Sequence, residues 1–275
     1  MTLHSEFPDL RCRFVEGSGI AVTGSTGYLG RLTLEALGSE GIALAAQDLP
    51  KRVVIVHLAA DVRPTREAFL ANAALDTAVA DLTRERDGGL VYASGNNVYG
   101  TGLDLGCELQ PAWNDYYGAS KVVGEAVAAM RLPAAQLHRV RIADVFGPGQ
   151  RHGNFFKAMA AAICERRALP QHGDGLKARS YIYAPEAARY LAWAAARMRQ
   201  GLALPTVVNL CHPGAVTLAH IVETLARMAV LPVERIAGPS GATDVRVMVP
   251  GPTGDYTWQW PGMDDALADF VAHSY

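Results

Sequence analysis

Gly24-Ser25-Thr26-Gly27-Tyr28-Leu29-Gly30 follows directly on the apolar run Gly19-Ile20-Ala21-Val22-Thr23 and directly precedes a segment of helical character, residues 32–37. Three glycines at this spacing, between a strand and a helix, leave few architectures open. One glycine permits the tight turn, one lets backbone N–H groups approach a pyrophosphate, and one lets helix and strand pack closely. The helix N-terminus then presents about half a positive charge to an anion. The pattern therefore predicts a dinucleotide cradle formed by Gly24, Ser25, Thr26, Gly27, Tyr28, Leu29 and Gly30 at the end of a buried strand.

The rest of the chain suits that start. Residues 52–58, 89–93 and 139–143 are further apolar, β-branched runs, and residues 68–86 and 117–130 between them carry helical periodicity. Strands alternating with helices predict an α/β fold, a Rossmann-type doubly wound parallel sheet. After the breaker Gly147-Pro148-Gly149 the pattern changes. Helices are expected at 155–166, 184–199, 218–228 and near 264–272, and extended runs at 181–183 and 207–210. The expected organisation is a dinucleotide-binding domain over residues 1–146 with parts of 180–210, and a smaller C-terminal substrate-binding subdomain over 147–179 and 211–275.

Asp48 lies near where an acidic residue would accept hydrogen bonds from an adenosine ribose, which would favour NAD over NADP. Only four residues separate it from Val53, where the next clear strand begins. Four residues reach roughly 13 to 17 Å, about one strand length, with nothing left for a helical crossover. Residues 42–49 therefore read equally well as a helix or loop leading straight into the strand at Val53.

Composition narrows the partners. The formal net charge of −2 over 275 residues points to neither a nucleic-acid groove nor an anionic membrane surface. Cys12, Cys107, Cys164 and Cys211 are far apart, without C-x-x-C or zinc-site spacing, so no metal site is expected and the thiols read as reduced. The longest apolar run is far short of a membrane span, and Glu6, Asp9, Arg11 and Arg13 are foreign to a signal peptide. A cytoplasmic location is expected.

Asp115-Tyr116-Tyr117-Gly118-Ala119-Ser120-Lys121 opens a predicted helix. Tyr117 and Lys121, one turn apart, project from one face. An ammonium so placed stabilises phenolate over phenol, which equips Tyr117 to take a proton from a hydroxyl or return one to a carbonyl.

Taken together, these residues resemble the extended short-chain dehydrogenase/reductases, the NAD-dependent epimerase/dehydratase family, over about residues 19–228. In that family Leu58-Ala59-Ala60 would lie beside the nicotinamide ribose, Asn72 would be the helix asparagine, and Tyr117 and Lys121 the catalytic pair. Residues 91–100 resemble its serine-rich strand end, so Ser94 or Asn96 would position the substrate oxygen. Gly147-Pro148-Gly149, Gly173-Asp174-Gly175 and Arg179-Ser180-Tyr181-Ile182-Tyr183 resemble its substrate half. Arg179 would grip the nucleotide of a nucleotide sugar, with Asp144, Asn154 and Arg246 as further substrate contacts. The resemblance implies NAD as cofactor, with NADP the alternative, and a nucleotide-sugar epimerase or ketoreductase. It also implies a homodimer through helices 68–86 and 117–130.

Several positions depart from the family. Gly95 stands where a Ser or Thr usually holds the substrate oxygen. Asn96 and Asn97 stand where dehydratases carry an acid–base pair, and an amide cannot exchange a proton as a carboxyl can. Asp144 replaces an asparagine near the diphosphate, where its charge would repel. Between Asp48 and Val53, about thirty to forty residues of adenine cover are missing, judged by the usual βαβ unit. These departures keep two alternatives open: a reductase or dehydrogenase of a non-nucleotide carbonyl compound, and a non-catalytic binding protein.

Overall fold

Val54, Ile55, Val56, Val91, Val140 and Val208 are buried, as the strands of a sheet covered on both faces require. The computed structural model, which describes residues 10–150, 154–238 and 245–274 and only the backbone of Asn154, joins their strands side by side. The chain enters through β1 (Arg11–Val15), β2 (Ile20–Thr23), α1 (Tyr28–Ala36), β3 (Ile42–Ala45), β4 (Val54–His57), α2 (Arg66–Glu85) and β5 (Gly89–Gly95). It continues through β6 (Gly102–Leu105), α3 (Tyr116–Arg131), β7 (Leu137–Ile142), β8 (Asp144–Phe146), α4 (Asn154–Cys164), β9 (Leu169–His172), β10 (Ala178–Arg179) and β11 (Tyr181–Tyr183). The remaining elements are α5 (Ala184–Arg199), β12 (Val207–Leu210), β13 (Val216–Thr217), α6 (Leu218–Ala229), β14 (Val233–Ile236), β15 (Arg246–Met248) and α7 (Met263–Ala272).

A seven-stranded sheet takes the order β12-β7-β5-β4-β2-β1-β3. β2, β4, β5, β7 and β12 pair in parallel, each with its neighbour. The chain leaves β2 towards β3 on one side and returns to β4 on the other. The carboxyl ends of β2 and β4 therefore flank a switch point, where sheets of this Rossmann type bind ligands. α2 and α3 pack together on one face of the sheet, and α1 packs with α5 on the other. Strand periodicity is visible in β4, whose Val54 and Val56 join the core under α5 while Ile55 joins the core under α2. A third cluster, including Phe146, Phe156, Tyr183, Leu225 and Phe270, holds the C-terminal elements together.

The expected Rossmann-type fold is the one observed, with a mostly parallel sheet in which β1 lies between β2 and β3 and is antiparallel to both. Of the readings open for residues 42–49, the stretch begins as a strand. β3 is followed by a single 3-10 turn at Ala46–Asp48, and the chain returns directly to the base of β4 without a helix. Leu49 and Val53 anchor that return in the core beneath α2. Among the described residues no helix is long and apolar enough to cross a membrane, and no group of three or more His, Cys, Asp or Glu could hold a metal ion.

Candidate active site

The glycine turn leaves β2 at Thr23 and becomes α1 at Tyr28. Gly24 has φ +65, and a Cβ there would lie 2.6 Å from the Ala59 nitrogen. A Cβ at Gly30 would overlap the Gly24 carbonyl. Only glycine allows this approach of turn, helix and β4 end. The helix cap is Gly27, which offers no side-chain acceptor, whereas α2, α3 and α6 are capped by Thr65, Asp115 and Thr217. The first N–H groups of α1 thus stand unsatisfied by a capping side chain and suit a pyrophosphate. Tyr28 donates to the Pro148 carbonyl at 2.9 Å, tying the cradle to the Gly147-Pro148-Gly149 loop.

Beside the turn, the Thr23 hydroxyl accepts the Leu58 and Ala59 N–H groups at 3.2 and 3.3 Å. Its own proton is then directed to His57 Nδ1 at 2.6 Å, which leaves Nε2–H to donate to Asp76 at 2.8 Å. His57 is fully buried and satisfied, the core histidine its place in a strand suggests. Asn72 accepts from the Asp61 N–H at 2.8 Å and donates to the Asp61 carbonyl at 2.8 Å and the Ser120 hydroxyl at 3.2 Å. It thereby joins the loop after β4, which carries Ala60, to α3.

Asp115 caps α3 by accepting from the Gly118 N–H at 2.6 Å. A Cβ at Gly118 would overlap the Asn97 carbonyl, so the start of α3 lies on the carboxyl end of β5. Tyr117 and Lys121 stand there together. The buried Lys121 ammonium is 5.9 Å from the Tyr117 ring centre and 5.0 Å from that of Tyr92. Glycine turn and tyrosine–lysine pair occupy the same end of the sheet. Tyr92 donates to Asp76 at 2.6 Å. Burial pushes the Asp76 carboxyl up, but Lys121, His57 and Tyr92 outweigh it and hold the group below the usual carboxylate range.

The other expected residues divide. The Ser94 hydroxyl donates to Glu125 at 2.6 Å, beneath the site, where Arg141 also binds Glu125 at 2.8 and 2.9 Å. Asn96 and Arg179 both hold the Asp144 carboxylate, each at 2.8 Å, and Arg246 stands in register beside Arg179. Asp48 is exposed and lies past the end of β3, a strand not adjacent to β2. The Asn154 side chain lies outside the described residues. Asp76, Tyr92, Glu125 and Arg141 were not foreseen. The signal for the two acids was helical spacing: Asp76 is one turn after Asn72, and Glu125 one turn after Lys121.

A model of the NAD dependent epimerase/dehydratase family matches residues 45–211. Among solved structures, UDP-N-acetylglucosamine 4-epimerase from Bacillus cereus is 18% identical, with a TM-score of 0.75 over 92% of this chain and 98% of that one. MoeE5, in complex with UDP-glucose and NAD, is 23% identical, with a TM-score of 0.72 over 93% and 97% of the two chains. RMD from Pseudomonas aeruginosa, complexed with NADPH, is 19% identical, with a TM-score of 0.72 over 92% and 97%. At these identities the likeness is one of fold. No curated protein sequence matches the chain.

Proposed function

Because the chain belongs to the NAD-dependent epimerase/dehydratase family, we propose that it is an NAD-dependent enzyme acting at a carbinol or carbonyl carbon of a sugar nucleotide, as a 4-epimerase or ketoreductase. NAD, when bound, supplies the hydride chemistry. The glycine turn and the N-terminus of α1 hold the pyrophosphate. Leu58, Ala59, Ala60 and Asn72 shape the nicotinamide side, and Lys121 binds the ribose hydroxyls. Tyr117 removes the substrate hydroxyl proton or returns it, and the Lys121 ammonium stabilises the phenolate. Asn96 positions the substrate through Asp144, and residues 147–179 and 211–275 form its half of the crevice. Dehydration is not proposed, because amides stand at 96 and 97.

The observation that carries this reading is the position of Tyr117 and Lys121 at the same end of the sheet as an uncapped, glycine-bounded helix N-terminus. Its test is a panel of UDP- and dTDP-sugars with NAD, on wild type and Tyr117→Phe. The variant is expected to retain dinucleotide binding and lose turnover by roughly 10²- to 10⁴-fold. Undiminished turnover would remove Tyr117 from the chemistry.

A second reading rests on the Asp144–Arg179 ion pair, which commits a guanidinium expected to meet the substrate diphosphate. A non-nucleotide carbonyl compound fits that arrangement better. Binding of UDP and dTDP in calorimetry separates the two readings. We also propose a homodimer through α2 and α3, which expose Leu70 and Tyr116. Sedimentation tests it.

A further inference from the structure

In a regular dinucleotide fold, the strand next to the glycine-loop strand ends in an acid that binds the adenosine ribose and repels a 2′-phosphate. Here that neighbour is β1, which runs the other way. Its register pairs Cys12 with Thr23, so the next residue, Arg11, comes level with Gly24. β3 lies two strand spacings from β2, roughly 10 Å. The turn carrying Asp48 is drawn away towards α2, where Arg86 donates to the Gln47 carbonyl and Leu49 enters the core of that face. The acid lies away from this corner, and the β1 residue level with Gly24 is an arginine.

On the opposite face of β1 the side chains point to α1, as Val15 does when it packs with Leu34. A groove of about 610 Å3 opens there, running from Ser25 and Thr26 of the glycine turn past Arg31 and Arg13. Arg13 donates to the Gly41 carbonyl at 3.2 Å, which steadies its guanidinium between strand and helix. Glu35 and Glu40 line the groove as well; Glu35 is a full helical turn beyond Arg31, further from the phosphate cradle. Guanidinium groups are the side chains best matched to phosphate oxygens.

We propose that this groove receives the adenosine 2′-phosphate of NADP, with Arg13 and Arg31 as its ligands and Arg11 adding positive charge. The chain then uses NADP(H) as well as NAD(H), and binds the phosphorylated form more tightly. The proposal rests on the reading of the glycine turn as a dinucleotide cradle.

The test is titration of the whole protein with NADPH and NADH, followed by nucleotide fluorescence, with 2′-AMP and 5′-AMP as shorter probes. NADPH is expected to bind at least tenfold more tightly. Arg31→Glu, on the exposed face of α1, should reverse the preference, and Arg13→Gln should bring the ratio towards one. Asp48→Asn should leave the ratio where it is. Tighter binding of NADH by wild type, or a ratio that neither arginine substitution moves, overturns the proposal while leaving the cradle intact. A failure of both nucleotides to bind overturns the cradle reading, and the proposal with it.

Discussion

Asp76 is a buried carboxylate beneath the proposed chemistry, and its neighbours define what removing it would do. It accepts from His57 and Tyr92 and faces the Lys121 ammonium, whose charge is a main reason its carboxyl stays ionised. Asp76→Asn keeps the shape but takes from the His57 and Tyr92 donors, and from the charge facing Lys121, the carboxylate they share, at a cost of about 3 kcal/mol or more. Tyr92→Phe deletes one donor and leaves the charges matched, at a cost of about 1 to 2 kcal/mol. Urea unfolding of the two variants is the measurement, and equal losses would show that Asp76 does not compensate Lys121. Gly95 is a different case. Its backbone is extended, at φ −145 and ψ 168, and the nearest atom to an added Cβ would be 3.8 Å away. Gly95→Ser is therefore expected to be accommodated without steric collision or backbone strain. With the Ser94 hydroxyl held by Glu125, the variant restores a hydroxyl at the family's usual position and is expected to raise kcat. An unchanged kcat would place the substrate oxygen elsewhere. The tyrosine and lysine were legible because a one-turn spacing after a cradle has chemical meaning. Asp76 and Glu125 share the same spacing, but an acid on a helix ordinarily reads as a solvated face, and only the fold shows both buried.

Between elements, α2 and α3 pack against each other, and Gly124 permits their approach. A Cβ there would overlap the Tyr92 hydroxyl and the Asp76 carboxylate. Gly124→Ala should force the two helices apart and disturb the Tyr92–Asp76 hydrogen bond, for a loss of about 1 to 3 kcal/mol despite the better helix propensity of alanine. The check is the urea midpoint against that of Gly38→Ala, where nothing lies within 4 Å but φ is +71, so backbone strain without collision provides the comparison. β4, β5, β7 and β12, and the helices α2, α3 and α5, were legible because burial on both faces writes continuous apolar runs for strands and clean periodicity for helices. β1 was not. Its sequence, RCRFV, buries Cys12 and Phe14 and turns two arginines to the α1 face, so charge concealed the strand. β3 was apolar enough to be seen, but the short interval to Val53 argued against a strand. That argument assumed a crossover helix, and the chain dispenses with one.

Across the whole molecule, the joint between the sheet and the C-terminal elements depends on a histidine that must stay neutral. His212 follows β12, donates its backbone N–H to the Tyr181 carbonyl at 2.8 Å and accepts the Tyr183 N–H on Nε2 at 3.1 Å. Burial lowers its pKa to about 4, against a partial opposing pull from Asp265. Burial likewise lowers that of His138, which lies between the Pro205 carbonyl and Tyr190. A folded value below the unfolded one means that protons bind the unfolded chain preferentially. The stabilisation is complete above the unfolded value of about 6.5 and is lost as pH falls from there towards 4. For His212 it amounts to something on the order of 3 kcal/mol. Asp76 acts lower on the scale: its depressed carboxyl contributes stability above about pH 4, lost only on further acidification. Unfolding free energy measured from pH 8 to pH 4 should therefore decline well before the carboxylates titrate. His212→Gln can keep an acceptor facing Tyr183 but cannot be charged, so it should start less stable at pH 8 and decline less steeply. A variant slope parallel to that of wild type would assign the acid sensitivity to another group. Because β12 belongs to the seven-stranded sheet and β11 leads into the C-terminal elements beside it, the proposed activity should fail over the same pH interval as this joint, ahead of global unfolding.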